Sequence, residues 1–111
     1  MTQEKNKICQ YLHEQFPCAR TGFITQLVEA LEIHDKKNHD YTGAKTNNPD
    51  DLGLKASFLD IWRKVTRLKH MIWEGLDPMV DESVLDNARD LANYAILLAE
   101  KVSAEINYIK E

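Results

Sequence analysis

DESVLDNARDLANYAILLAEKV, residues 81–102, is the stretch whose reading decides the fold. Val84, Ala88, Leu91, Ala95, Leu98 and Val102 recur at alternating spacings of four and three. That is close to the seam of packed helices, and it predicts one long helix from about Asp81 to Tyr108. Glu82, Asp86 and Asp90 stand four apart at its start. At 100° per residue they span about 80° of arc, nearly opposite the apolar stripe. From Ala92 to Ala99 the chain reads ANYAILLA, apolar nearly all round. A helix of that pattern is buried on more than one side, so another helix or another chain must cover the face that carries the acids.

Three more segments carry the helical period. Ile8, Leu12 and Phe16 fall four apart, with Cys9 beside them, and predict a helix over about 2–16. Pro17 and Gly22 bracket a short connection. From Thr21 the stripe Ile24, Leu27, Val28 and Leu31 predicts a second helix to about Asn38. DYTGAKTNNPDDLGL (40–54) carries turn signals throughout and reads as a loop. A loop of ~15 residues in a small domain points to function or local disorder. A third helix is expected from about Leu54 to Trp73, with Phe58, Ile61, Trp62, Val65, Leu68 and Ile72 on one face; Gly75 ends it and Pro78 marks the next start. The expected class is all-α, a four-helix, bundle-like single domain over residues 1–111. The last helix has more apolar surface than three short neighbours can cover, so a homodimer or higher assembly is expected.

The bulk numbers narrow the function classes. At 111 residues, 43% hydrophobic and 29% charged, the chain has enough length for one modest core. A net charge of −4 argues against a protein that coats nucleic acid, which usually carries a basic face. Cys9 and Cys18 fit no metal spacing, and a reduced compartment is the simpler assumption. The start, MTQEKNKICQ, has no apolar signal core and no run approaches membrane-span length. The reading is a cytoplasmic protein with neither membrane nor nucleic acid as partner. No glycine-rich phosphate loop, nucleophile elbow or Cys/His zinc spacing is present.

Two readings of the acidic ladder stand side by side. A solvated helix face accounts for it, and acids near a helix start are favoured by the macrodipole. Covered carboxylates, on the other hand, repel one another unless cations neutralise them. Mg²⁺ suits that role, because it takes carboxylate oxygens and keeps positions open for phosphate. Helix 2 adds a related feature. Its stripe runs on into His34, Asp35 and Asn38, with Glu29, Glu32 and Asp35 three apart beside it. Either the core opens there into a polar pocket or the helix end emerges into water. On helix 3, Asp60 and Lys64 form an i,i+4 pair and Arg67 continues that flank. Lys64 and Arg67 are in position to meet a phosphate, Arg with its bidentate fork, or to pair with the helix 4 acids as ordinary ion bridges. Trp62, Trp73, Tyr41 and Tyr94 are base-stacking candidates, the two Trp being better read as core.

KKNHDYTGA (36–44), FLDIWRKVTRLKHMI (58–72) and DESVLDNARDLANYAILL (81–98) together resemble the nucleotide modification associated domain 1 family of phages and bacteria. The resemblance covers about residues 30–100 and singles out Asn38, Asp40 and Tyr41, then Lys64 and Arg67, then Glu82, Asp86, Asp90 and Tyr94. Thr42, inserted before Gly43, departs from the family's Tyr-Gly. More distantly the chain is similar to the MazG-like all-α nucleoside triphosphate pyrophosphatases, which hold Mg²⁺ with Glu-x-x-Glu on one helix and Glu-x-x-Asp on the next. Glu29 and Glu32 satisfy the first spacing, whereas Glu82 and Asp86 are four apart rather than three. Both still share one helix face at that spacing.

The resemblance implies a nucleotide as the partner and leaves two functions open. One is Mg²⁺-dependent cleavage of a (deoxy)nucleoside triphosphate to monophosphate and pyrophosphate. Glu82, Asp86 and Asp90, with Glu29 or Glu32, would hold the metal, and Lys64 and Arg67 would act on the phosphates. Asn38, Asp40 and Tyr41 would position sugar or base, with Tyr94 also set against the nucleotide. The other is a phage protein that sequesters a nucleotide, such as a signalling or modified one, without chemistry in the host cytoplasm. A helical scaffold with no ligand is the plainest alternative.

Overall fold

The computed structural model describes residues 2–41, 53–74 and 82–110, with side chains for 2–39, 53–74 and 83–106. The fold is all-α and bundle-like, with four helices and no strand among the described residues: α1 (Gln3–Gln15), α2 (Thr21–Tyr41), α3 (Gly53–Trp73) and α4 (Glu82–Lys110). No helix among them is long and apolar enough to cross a membrane. The chain divides into two compact units, Met1–Tyr41 and Thr42–Glu111, each an antiparallel helix pair.

In the first unit Thr2 caps α1, its hydroxyl oxygen accepting the Lys5 N–H at 3.2 Å. The cap satisfies one of the donors that a helix start leaves open, and Glu4 in the first turn suits the macrodipole. The helix closes at Phe16, whose N–H donates to the Leu12 carbonyl at 2.8 Å. Of the expected α1 stripe, Leu12 is half-buried but Ile8 and Phe16 are exposed; the covered line is Lys5, Cys9 and Leu12. On α2, Ile24, Val28 and Ala30 are each 4% exposed and form the buried apolar core. Leu27 and Leu31, expected on the same stripe, are exposed. Apolar periodicity marks a broad face, and a single neighbouring helix covers only one side of it.

Both ends of the expected loop are helical. α2 continues through Asp40 and Tyr41, and α3 begins one residue before Leu54, at Gly53. Neither Asp nor Tyr prevents a helix from running on, so the real stop lies past them. Gly53 has φ +73°, a left-handed conformation that any side chain would strain. Gly75, Pro78 and the rest of the expected loop lie outside the described residues.

In the second unit the ion pairs and hydrogen bonds set the register. Ser57 lies opposite Lys101, Lys64 opposite Asn87 and Asp90, and Met71 opposite Asn87. The line of α4 turned to α3 is Ser83, Asn87, Asp90, Tyr94, Leu97 and Lys101, each half-buried or buried. It repeats at four and three like the apolar stripe beside it. Ser57 and Asn87, both polar, are the buried residues of this unit among those described. Of the expected stripes, Val84, Leu91, Leu98 and Val102 are half-buried while Ala88 and Ala95 are exposed. On α3, Ile61 and Leu68 are half-buried, whereas Phe58, Trp62, Val65 and Ile72 are exposed.

Candidate functional site

The site begins with Lys64. It occupies the middle of α3, and its ammonium reaches across to α4, 3.1 Å from an Asp90 carboxylate oxygen and 3.3 Å from the Asn87 side-chain oxygen. The Lys64 and Asp90 side chains are 19% and 23% exposed, so water screens this pair only in part. Asn87 holds the acceptor in place. Its amide donates to the Ser83 carbonyl at 2.7 Å and lies 3.7 Å from the Met71 sulfur. One face of Asn87 is thus tied back to its own helix and the other is turned to the lysine.

The covering helix expected over the acidic ladder is α3. It covers Asp90, whereas Asp86, one turn earlier, is exposed. Glu82 starts α4, and its side chain lies outside the described residues. The expected Asp60–Lys64 pair along α3 is not formed. Asp60 takes Arg63 instead, and Lys64 turns across the seam to Asp90. Asp90 and Asn87 offer Lys64 two oxygens at a partly buried position, which a surface pair along one helix does not match. Arg67 is exposed and one turn beyond Lys64, while Tyr94 is half-buried one turn beyond Asp90.

The other expected residues belong to the first unit. Lys5 of α1 inserts between Glu29 and Glu32, 3.0 Å and 2.9 Å from their carboxylates. Those two bonds hold the Lys5 ammonium above its ordinary pKa, Glu32 the more strongly and Glu29 next. Asn38 is exposed, its amide 3.1 Å from the His34 ring nitrogen. Asp40 and Tyr41 form the last turn of α2, their side chains outside the described residues. Among the described residues no three His, Cys, Asp or Glu side chains stand close enough to hold a metal ion.

Asn87 is the residue that sequence reasoning missed. Its type is polar and its neighbours Val84, Ala88 and Leu91 draw the eye to the adjacent apolar line. The signal was available in the spacing of Ser83, Asn87, Asp90 and Tyr94, a second seam made of polar groups.

A partly buried lysine–asparagine–aspartate bridge thus ties α3 to α4. Residues 37–99, more than half of the chain, match Nucleotide modification associated domain 1. The chain belongs to that family. The matched segment holds Asn38, Asp40, Tyr41, Lys64, Arg67, Glu82, Asp86, Asp90 and Tyr94, and excludes α1, Glu29 and Glu32. No curated protein and no solved structure matches the chain.

Proposed function

We propose that the chain is a nucleotide-binding protein of nucleotide metabolism, with the phosphates bound on the Lys64 side of the α3–α4 pair. The observation that carries this reading is the Lys64 ammonium, fixed by Asn87 and Asp90 inside the segment that matches a family named for nucleotide modification. An ammonium has three N–H groups; two point to Asn87 and Asp90, and the third suits a phosphate oxygen. Arg67 adds a planar fork one turn away.

Asp86 and Asp90 are hard oxygen donors on one helix face, and Mg²⁺ commonly binds through one or two carboxylates together with substrate phosphates. The donor chemistry therefore fits magnesium, with Glu82, Asp86 and Asp90 as the residues that would hold it. Glu32, also a candidate ligand, is engaged with Lys5 in the first unit. Bound magnesium would neutralise charge on the phosphates and polarise a phosphoryl group. Lys64 and Arg67 would then stabilise charge developing during pyrophosphate release from a nucleoside triphosphate.

Two observations favour binding without chemistry. Glu82 and Asp86 are spaced by four rather than three, and Lys64 already neutralises Asp90. In that reading the protein sequesters an intact nucleotide, as a phage protein directed at a nucleotide signal would do.

A single experiment separates the two. The full chain is incubated with canonical, modified and cyclic nucleotides and Mg²⁺, then filtered, and filtrate and denatured retentate are read by mass spectrometry. Conversion of one triphosphate to its monophosphate, abolished by Asp86→Ala with the helical spectrum intact, makes the protein a hydrolase. Retention of an intact nucleotide that survives EDTA and is lost in Lys64→Ala or Arg67→Ala makes it a sequestering protein. A panel returned unchanged and unbound overturns both. The part of Asn38, Asp40, Tyr41 and Tyr94 is read from the same panel with single alanine variants.

A further inference from the structure

The α3–α4 pair has a second side, away from Asp86 and Arg67, where the apolar faces of both helices lie together. Val65, Leu68, Ile72 and Trp73 of α3, Leu91 of α4 and the stem of Lys69 line an open groove of about 290 Å³. Phe58 and Trp62 extend the same line of α3 by two turns, their rings stacked at 6.4 Å. Phe58, Trp62 and Trp73 are 55%, 57% and 82% exposed, which at ~150–250 Å² per aromatic leaves on the order of 300–500 Å² bare. Three side chains alone thus match the largest apolar patch of an ordinary monomer.

We propose that a second copy of this chain covers this face, with two α3 helices packed antiparallel about a two-fold axis at Val65. The reason is the symmetry of the sequence about that residue. Phe58 and Ile72 stand seven residues to either side of Val65, and Trp62 and Leu68 three. At 100° per residue, Phe58, Trp62, Val65, Lys69 and Ile72 fall within about 80° of arc. The two-fold operation lays Phe58 against the partner's Ile72 and Trp62 against the partner's Leu68, and each contact is made twice.

Charge is compatible with the same occupant. Among the described residues of α3 the face carries Lys55 and Lys69 and no acid, since Asp60 lies on the opposite side with Arg63. Unrelieved, those cations would repel a second copy. In the antiparallel arrangement Lys69 and the partner's Lys69 stand about 12 Å apart along the helix axis, and Lys55 and the partner's Lys55 about 30 Å, at 1.5 Å per residue. Those separations exceed the ~8 Å Debye length of physiological salt, so the like charges are largely screened. The pairing also supplies the unit with an apolar interior, which its own buried residues, Ser57 and Asn87, do not give it.

The test is a cross-link at the axis, made in the full chain with Cys9→Ser and Cys18→Ser. In Val65→Cys the two introduced thiols face each other within disulfide reach, Cβ atoms about 3.5–4.5 Å apart. Mild oxidation with diamide is expected to give a covalent species of twice the 12.8 kDa chain mass. Arg63→Cys, on the far side of α3, is expected to stay uncrosslinked. Light scattering on the unmodified chain gives the dimer mass, and Trp62→Glu gives the monomer with its helical spectrum kept. A monomer mass for the unmodified chain overturns the proposal and hands the face to another part of the chain or to a different protein. A dimer that links through Arg63→Cys and not through Val65→Cys overturns it as well.

Discussion

The two helix pairs of this chain use their apolar residues in opposite ways. In the α1–α2 unit Ile24, Val28 and Ala30 are buried to 4% exposure, and the polar contact, Lys5 to Glu29 and Glu32, lies outside that core. In the α3–α4 unit the buried residues among those described are Ser57 and Asn87, and the large apolar side chains Phe58, Trp62, Ile72 and Trp73 are exposed. A helix pair held by apolar burial can be a finished structural element. One held by a polar seam leaves large apolar side chains exposed, and its lysine is part of the seam itself.

The sharpest way to break this contrast is to delete apolar volume from the first unit. Ile24→Ala removes buried methyl groups from a site with no polar compensation and is expected to cost about 2–4 kcal/mol in urea unfolding followed by circular dichroism. A loss below about 1 kcal/mol would mean that Ile24 is not part of a packed core, and the contrast would fail on its first side.

That contrast also explains what could be read from the sequence. Four helices were legible because Leu12, Ile24, Val28, Leu68, Leu91 and Leu98 fall on 3.6-residue lines separated by Pro17, by the turn signals of 40–54 and by Gly75 and Pro78. Periodicity reports which face of a helix prefers to leave water. It does not report which neighbour covers that face. The apolar stripe of α3 therefore suggested an internal seam, while the helix that packs on α3 meets Ser57, Lys64 and Met71. Of the candidate site, Lys64 and Asp90 were legible as a possible pair across helices, because charge and helix face are both read from spacing. Asn87 was not, since an isolated amide has no charge to match. Asp60 was assigned to Lys64 by spacing alone, and the stronger cross-helix acceptors changed the lysine's partner.

The second unit is broken at Asn87. Asn87→Ala removes the acceptor of the Lys64 ammonium and the donor to Ser83, leaving a partly buried cation with Asp90 alone. The expected cost is about 1–3 kcal/mol, the range for a hydrogen-bonded polar group whose partner loses its bond. Thermal melting checks it, and the comparison with Ile24→Ala is informative in itself. A fall smaller than that of Ile24→Ala fits a seam made of polar bonds. An unchanged melting temperature would show that apolar stems, rather than the Lys64 bridge, hold α3 to α4.

The smallest effect belongs to Lys5, whose bridge lies at the edge of the first unit's core. Glu32 first and Glu29 second raise its pKa above the ordinary 10.5, so the folded state binds this proton more tightly than the unfolded chain does. The bridge therefore contributes its full stability below pH 10.5 and loses it as pH rises through the higher folded value. Lys5→Met separates this effect from every other titrating group. Melting of the parent and of Lys5→Met is compared at neutral pH and again well above 10.5. The parent is expected to melt higher at neutral pH, and the two curves are expected to converge in alkali. Added salt should shrink the neutral-pH gap, because a bridge at the surface is screened. A gap that persists in alkali would assign the role of Lys5 to its aliphatic stem, on the half-buried line of Cys9 and Leu12, and the first unit would then owe its stability to apolar contact alone.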